Sequence, residues 1–124
     1  MGTVEKPKNH KDLEVWKQSM ELVDLVYRIT KDFPHEELYG LVNQMRRAAI
    51  SIPSNVAEGA ARSGKKQFNQ FLRVALGSLS ELETQVLVAQ RQGYLEDEEA
   101  VLRHIGTVRR LLLGLIRHLK KEST

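Results

Sequence analysis

The chain has 124 residues, enough for one domain built around one core. Apolar residues make up 41% and charged residues 28%, an ordinary soluble composition, and there is no run of about 18 apolar residues to cross a membrane. With 19 Lys and Arg against 16 Asp and Glu the net charge is +3, a mild basic excess, and the lack of cysteine excludes both a disulfide framework and a thiol nucleophile.

The stretch from Met1 to Asp12 is polar and lysine-bearing, without the apolar core of a signal peptide. It reads as a flexible segment over residues 1–11, and a cytoplasmic location is expected. Three breaks divide the remainder: Phe33-Pro34-His35, Arg62-Ser63-Gly64 and Gly93-Tyr94. Pro34 disfavours helix at Phe33, and Gly93 before Tyr94 suits a left-handed C-cap. Between the breaks the apolar residues recur with helical period, which predicts helices over 12–32, 36–61, 65–92 and 96–121. The linkers are short, so consecutive helices should pack antiparallel. The expected fold is all-α: an antiparallel up-down-up-down four-helix bundle over residues 12–121.

Helix one is two-sided, with Trp16, Met20, Val23 and Tyr27 on one flank and Val15, Leu22, Leu25, Val26 and Ile29 on the other. Helix two starts with Glu36 and Glu37, acids that complement a helix N-terminus. Its apolar stripe Leu41, Met45, Ala48, Ala49, Ile52 and Val56 stays in phase across Pro53. An interior proline removes a backbone hydrogen bond, so the segment is either one helix kinked at Pro53 or two helices, and the phase favours the kinked helix. Helix three has one clear core stripe: Phe68, Phe71, Leu72, Ala75, Leu79, Leu82, Val86 and Ala89. Helix four begins with Asp97, Glu98 and Glu99, and its apolar residues from Val101 to Leu119 cover roughly 200° of the wheel. A bundle helix needs only about 100°. The surplus on helices one and four predicts self-association.

Gln44, Arg47, Ser51, Asn55 and Glu58 form a polar stripe within roughly 80° of the helix-two wheel, along the edge of its apolar stripe. Side chains there must find hydrogen-bond partners. An active site would need Glu58 as base and Ser51 as nucleophile, but these lie two turns apart and no histidine joins them. The stripe therefore reads as a structural polar network between helices or subunits, with Ser78 and Glu81 of helix three as partners. His10, His35, His104 and His118 fall on separate segments with no metal-ligand spacing. No glycine-rich phosphate loop follows a strand. No enzyme activity, metal or cofactor is expected.

The up-down topology sorts the charges. One end collects Lys6, Lys8, Lys11, Arg62, Lys65, Lys66, Arg117, Lys120 and Lys121, with Arg73 about two turns up helix three. The other collects Asp32, Glu36, Glu37 and Glu96, Asp97, Glu98 and Glu99. From Ala100 to Lys121 there are six basic residues and no acid. A cyclic assembly would gather the basic ends into one surface suited to phosphates. The alternative is lysines that complement helix C-termini. Aromatic side chains for base stacking are not evident in this patch, so charge and shape would dominate.

The stretch from Phe33-Pro34-His35-Glu36-Glu37-Leu38-Tyr39-Gly40-Leu41 through Gln44-Met45-Arg46-Arg47 and Ser51-Ile52-Pro53-Ser54-Asn55-Val56-Ala57-Glu58-Gly59 is distinctive. With Asp12-Leu13-Glu14-Val15-Trp16, Phe68-Asn69-Gln70-Phe71-Leu72 and Ala75-Leu76-Gly77-Ser78-Leu79-Ser80-Glu81-Leu82-Glu83, it closely resembles the four-helix-bundle family of proteins encoded in 23S ribosomal RNA intervening sequences. The match covers roughly residues 10–119. This family is similar in turn to the accessory variability proteins of diversity-generating retroelements, basic pentameric barrels that bind nucleic acid and a reverse transcriptase. The resemblance implies a kinked-bundle protomer, a homopentamer and no catalytic activity. The expected role is an oligomeric accessory protein that binds RNA or DNA. The alternative is a protein-interaction scaffold, for example for a reverse transcriptase, with no nucleic-acid binding of its own.

Overall fold

The computed structural model describes residues 9–122. It contains four α-helices: α1 (Glu14–Thr30), α2 (Asn43–Ala61), α3 (Lys65–Arg91) and α4 (Glu99–Glu122). There is no strand among the described residues. Neighbouring helices run antiparallel. The end of α1 meets the start of α2 where Arg46 donates to the Thr30 hydroxyl. Ser51 faces Ser78 across α2 and α3, and Arg109 of α4 reaches back to Glu83 of α3. The ring closes where the His104 imidazole donates to the Gln18 carbonyl of α1, 2.9 Å away.

Each helix lends one stripe to the core. Val15, Leu22 and Val26 come from α1; Met45, Ala48, Ala49, Ile52 and Val56 from α2; Leu72, Ala75, Leu79, Leu82, Val86 and Ala89 from α3; Val101, Ile105, Val108, Leu112, Ile116 and Leu119 from α4. The expected stripe of α3 is buried except at Phe68 and Phe71, which are half-buried. In α1, Ser19 and Thr30 also face inward, each hydroxyl donating to the carbonyl four residues back. That bond satisfies the buried Ser19 hydroxyl within its own helix, whereas Thr30 Oγ1 also accepts from Arg46 of α2.

The elements differ from expectation at their ends. The first helix starts at Glu14 and not at residue 12: His10–Asp12 before it form a 3-10 turn, and Asn9 Oδ1 accepts from the Lys11 N–H. Lys6 and Lys8 lie outside the described residues. The second helix does not run straight from residue 36. It is entered through a 3-10 turn (His35–Glu37) and a π-helical turn (Leu38–Val42). Gly40 is the residue that leaves helical geometry (φ −109°, ψ −109°). A Cβ there would lie 3.0 Å from Glu37 Oε1, which accepts from the Leu41 N–H. From Asn43 to Ala61 the helix continues through Pro53 as a single element.

The far corner is built on Gly93, at φ +79°. Its N–H bonds Gln90 O and the Tyr94 N–H bonds Ala89 O, the paired bonds of a Schellman cap. Tyr94 then packs on Phe33, with ring centroids 5.6 Å apart, and ties this corner to the α1–α2 connection. The last helix begins three residues later than expected. Asp97 Oδ1 accepts from the Glu99 N–H, so the acids preceding Glu99 form the approach to the helix.

Candidate functional site

The polar stripe of α2 forms one wall of a shallow groove of about 430 Å³ between α2 and α3. Tyr39, Asn43, Gln44, Arg47, Ala48, Ser51, Ser78 and Glu81 line it. At its floor Ser51 Oγ and Ser78 Oγ are 2.8 Å apart. The Asn55 amide donates both to Ser51 O at 2.7 Å and to Ser51 Oγ at 3.0 Å. These three residues are half-buried and make one network. The other stripe residues do not enter it within the protomer. Gln44, Arg47 and Glu81 are exposed on the groove walls. Glu58 turns away and pairs with Arg62 at 3.2 Å, with about half of each side chain exposed. Among the described residues, no histidine or carboxylate hydrogen-bonds to either serine. Tyr39, at the groove mouth, is 88% exposed.

Of the expected basic residues, Arg62, Lys65 and Lys66 surround the α2–α3 connection, and Arg117, Lys120 and Lys121 lie in the last two turns of α4. All six are exposed, as is Arg73. Antiparallel packing of α3 and α4 brings the two groups to the same end of the bundle. Arg62 is anchored by Glu58 and by the face of Phe71, 5.4 Å from the ring centroid. Among the described residues, no group of three or more His, Asp or Glu is arranged to hold a metal, and no helix is long and apolar enough to cross a membrane.

Topology places Arg117 at the basic end but leaves Arg103, Arg109 and Arg110 of α4 unassigned. Arg103, Arg110 and Arg117 are exposed. Their spacing of seven carries the signal, because residues seven apart return to nearly the same face. Arg109, one position away, points elsewhere: it grips Glu83 through two nitrogens, at 2.9 and 3.5 Å. Tyr39 lies in the π-helical turn, out of register with the α2 wheel, and Asn43 opens α2 beside the stripe; neither is marked by the helical spacing of the stripe.

A search of the curated proteins gave no match. Among solved structures, the chain is similar to a protein of unknown function from the S23 ribosomal protein family of Bacteroides thetaiotaomicron, at 22% identity and a TM-score of 0.76. That match covers 83% of this chain and 95% of the other, and it supports the bundle fold. The family model described as 23S rRNA-intervening sequence protein matches residues 11–114. A match over that length, on a four-helix bundle that carries the motifs of α2 and α3, places the chain in the 23S rRNA-intervening sequence protein family.

Proposed function

We propose that the protein is a non-catalytic accessory protein that assembles as a homopentamer and holds RNA or DNA electrostatically at the basic end of its bundle. The separation of charge carries this reading. Arg62, Lys65, Lys66, Arg117, Lys120 and Lys121 are exposed at one end, while Glu36, Glu37, Glu96, Asp97, Glu98 and Glu99 sit at the other. A ring with parallel axes multiplies that patch by the number of subunits, and each neutralised phosphate releases condensed counterions. The absence of catalysis is supported by the serines, whose hydroxyls are committed to each other and to Asn55. A protein scaffold, with a reverse transcriptase among its partners, is the second reading. The displayed Tyr39 ring beside the groove favours it, because exposed aromatics commonly anchor protein interfaces.

The test is a fluorescence-anisotropy titration of a structured RNA and a duplex DNA at several salt concentrations. Affinity should fall linearly on a log–log plot against salt. Replacing Arg62, Lys65 and Lys66 together by Gln should weaken binding about equally for unrelated sequences, since phosphate contacts carry no base information. Wild-type protein that binds neither probe at low salt would turn the assignment to the scaffold.

A further inference from the structure

The outer face of α4 carries a basic line that starts at Arg117 of the basic end and runs away from that end along the helix. Arg103, Arg110 and Arg117 recur every seven residues, drift by only about 20° per step and climb about 10.5 Å per step. They form a straight ridge along the helix. All three are exposed, and none makes an ion pair among the described residues. No acid occurs from Ala100 to Lys121, and α3 alongside carries two, Glu81 and Glu83. Glu83 is already taken by Arg109.

The ridge is also shaped. Gly106 and Gly114 are helical glycines with space above them. A Cβ on Gly106 would meet Arg110 Nη1 at 3.6 Å, and one on Gly114 would meet Arg117 Nη2 at 3.9 Å. The two guanidiniums therefore lie back over bare backbone, toward the helix N-terminus, as long helical side chains do. Arg110 is further steadied by a hydrogen bond to Thr107 Oγ1, whose own proton goes to Arg103 O. Two of the three guanidiniums are thus held close to the helix, beside backbone that carries no side chain at Gly106 and Gly114.

Resting on the nucleic-acid reading above, we propose that this ridge is a binding surface for the phosphodiester backbone, each arginine taking a separate phosphate. Guanidinium is the cation suited to that role, because its fork matches two phosphate oxygens at once. Binding here tracks the backbone and ignores sequence.

The experiment compares R103Q/R110Q, which leaves Arg117 of the basic end in place, with K17Q/R91Q, which removes the same two charges from exposed positions elsewhere. Anisotropy is measured on an RNA hairpin, a single-stranded RNA and a duplex DNA over a salt series, with circular dichroism and sedimentation on every variant. Losing two phosphate contacts should lower the log–log salt slope by about 1.8 on duplex DNA and by about 1.4 on a single strand. The control should move it by less than about 1. A ridge variant indistinguishable from the control, with wild type binding, overturns the ridge and leaves the nucleic-acid reading standing. A ridge variant that changes its sedimentation puts this face between copies, which also overturns the proposal. Wild type that binds no probe overturns both readings together.

Discussion

The hydroxyl oxygens of Ser51 and Ser78 meet 2.8 Å apart where α2 and α3 cross. Ser51 Oγ already accepts from the Asn55 amide, so its own proton is available for Ser78. Asn55 is the hub of the arrangement, because it also donates to the Ser51 carbonyl. The polar stripe of α2 is thereby split into an inner part, Ser51 and Asn55, and an outer part, Gln44, Arg47 and Glu58.

That split sets the cost of substitution. Asn55→Ala removes two hydrogen bonds at a half-buried position and should destabilise by about 1–3 kcal/mol. Glu58→Ala breaks only an exposed i,i+4 pair with Arg62 and should cost less than about 0.5 kcal/mol. Urea unfolding of both variants checks the order. Equal losses would mean that Glu58 belongs to a network formed only in the assembly.

Two helical glycines should respond with opposite sign. A Cβ at Gly59 would come within 2.7 Å of Phe71 Cβ and 2.9 Å of Phe68 Cδ1. Phe71 Cβ is fixed to the backbone of α3, so the helices must move apart, and Gly59→Ala should destabilise by about 1–3 kcal/mol. At Gly106 a Cβ meets only Arg110 Nη1 at an ordinary contact distance. Gly106→Ala should raise stability by about 0.5–1 kcal/mol, the helix-propensity difference. Thermal unfolding that moves both variants in the same direction would contradict this account.

The helices and their core stripes were legible because burial in a bundle follows the 3.6-residue period, which needs no knowledge of the partner helix. Gly93 was legible for the same local reason: a left-handed cap favours glycine wherever it occurs. What escaped was set by tertiary detail. The π-helical turn at Leu38–Val42 depends on Glu37 reaching both the Leu41 N–H and the Tyr94 hydroxyl, and the latter contact spans 57 residues. The membership of the polar network escaped too. Helical spacing places Glu58 on the stripe, but only the position of α3 decides that Ser51 finds Ser78 while Glu58 finds Arg62. The basic end follows from topology and the seven-residue spacing of Arg103, Arg110 and Arg117 is visible in the sequence, but only the structure turns Arg109 to Glu83 and leaves Arg110 exposed.

The contact between Tyr94 and Glu37 should make stability fall at high pH. Tyr94 Oη donates to Glu37 Oε2 at 3.0 Å. This hydrogen bond, with some burial and the negative charges of Glu37 and Glu36, raises the phenol above its ordinary value of 10.0. A raised value in the folded state means that the neutral form is favoured by folding. The contribution is fully present below about pH 10 and is lost as pH rises through the folded value. Difference absorbance at 295 nm should show one tyrosine titrating late in the folded protein, and Tyr94→Phe should abolish that step. The stability gap between wild type and Tyr94→Phe should narrow from pH 8 to pH 11. A gap constant over that range would sink the assignment.

The last prediction concerns self-association. The surplus apolar surface of α1 and α4 is largely taken up inside the protomer, where Trp16, Val23, Leu25, Ile29, Leu102, Leu111 and Leu115 pack half-buried against the core. Large apolar side chains also remain outward: Met20 (39%) and Tyr27 (40%) on α1 and, within about 40° of each other on one flank of α3, Val74 (54%) and Val88 (41%). Ile50 of α2 and Leu113 of α4 join them at 41% and 38%. Single exposed hydrophobes are ordinary, but Val74 and Val88 repeat along one face of α3, and apolar residues that share a face mark a surface that another molecule covers. Sedimentation at micromolar concentration should give a mass close to five times 14.2 kDa. Replacing Val74 and Val88 together by Glu should shift the protein toward the monomer, because a charge at an apolar interface is left unpaired. These residues lie outside the core, so circular dichroism should stay helical. A monomeric wild type would remove the homopentamer. An intact pentamer in the double variant would move the interface from α3 to another face of the bundle.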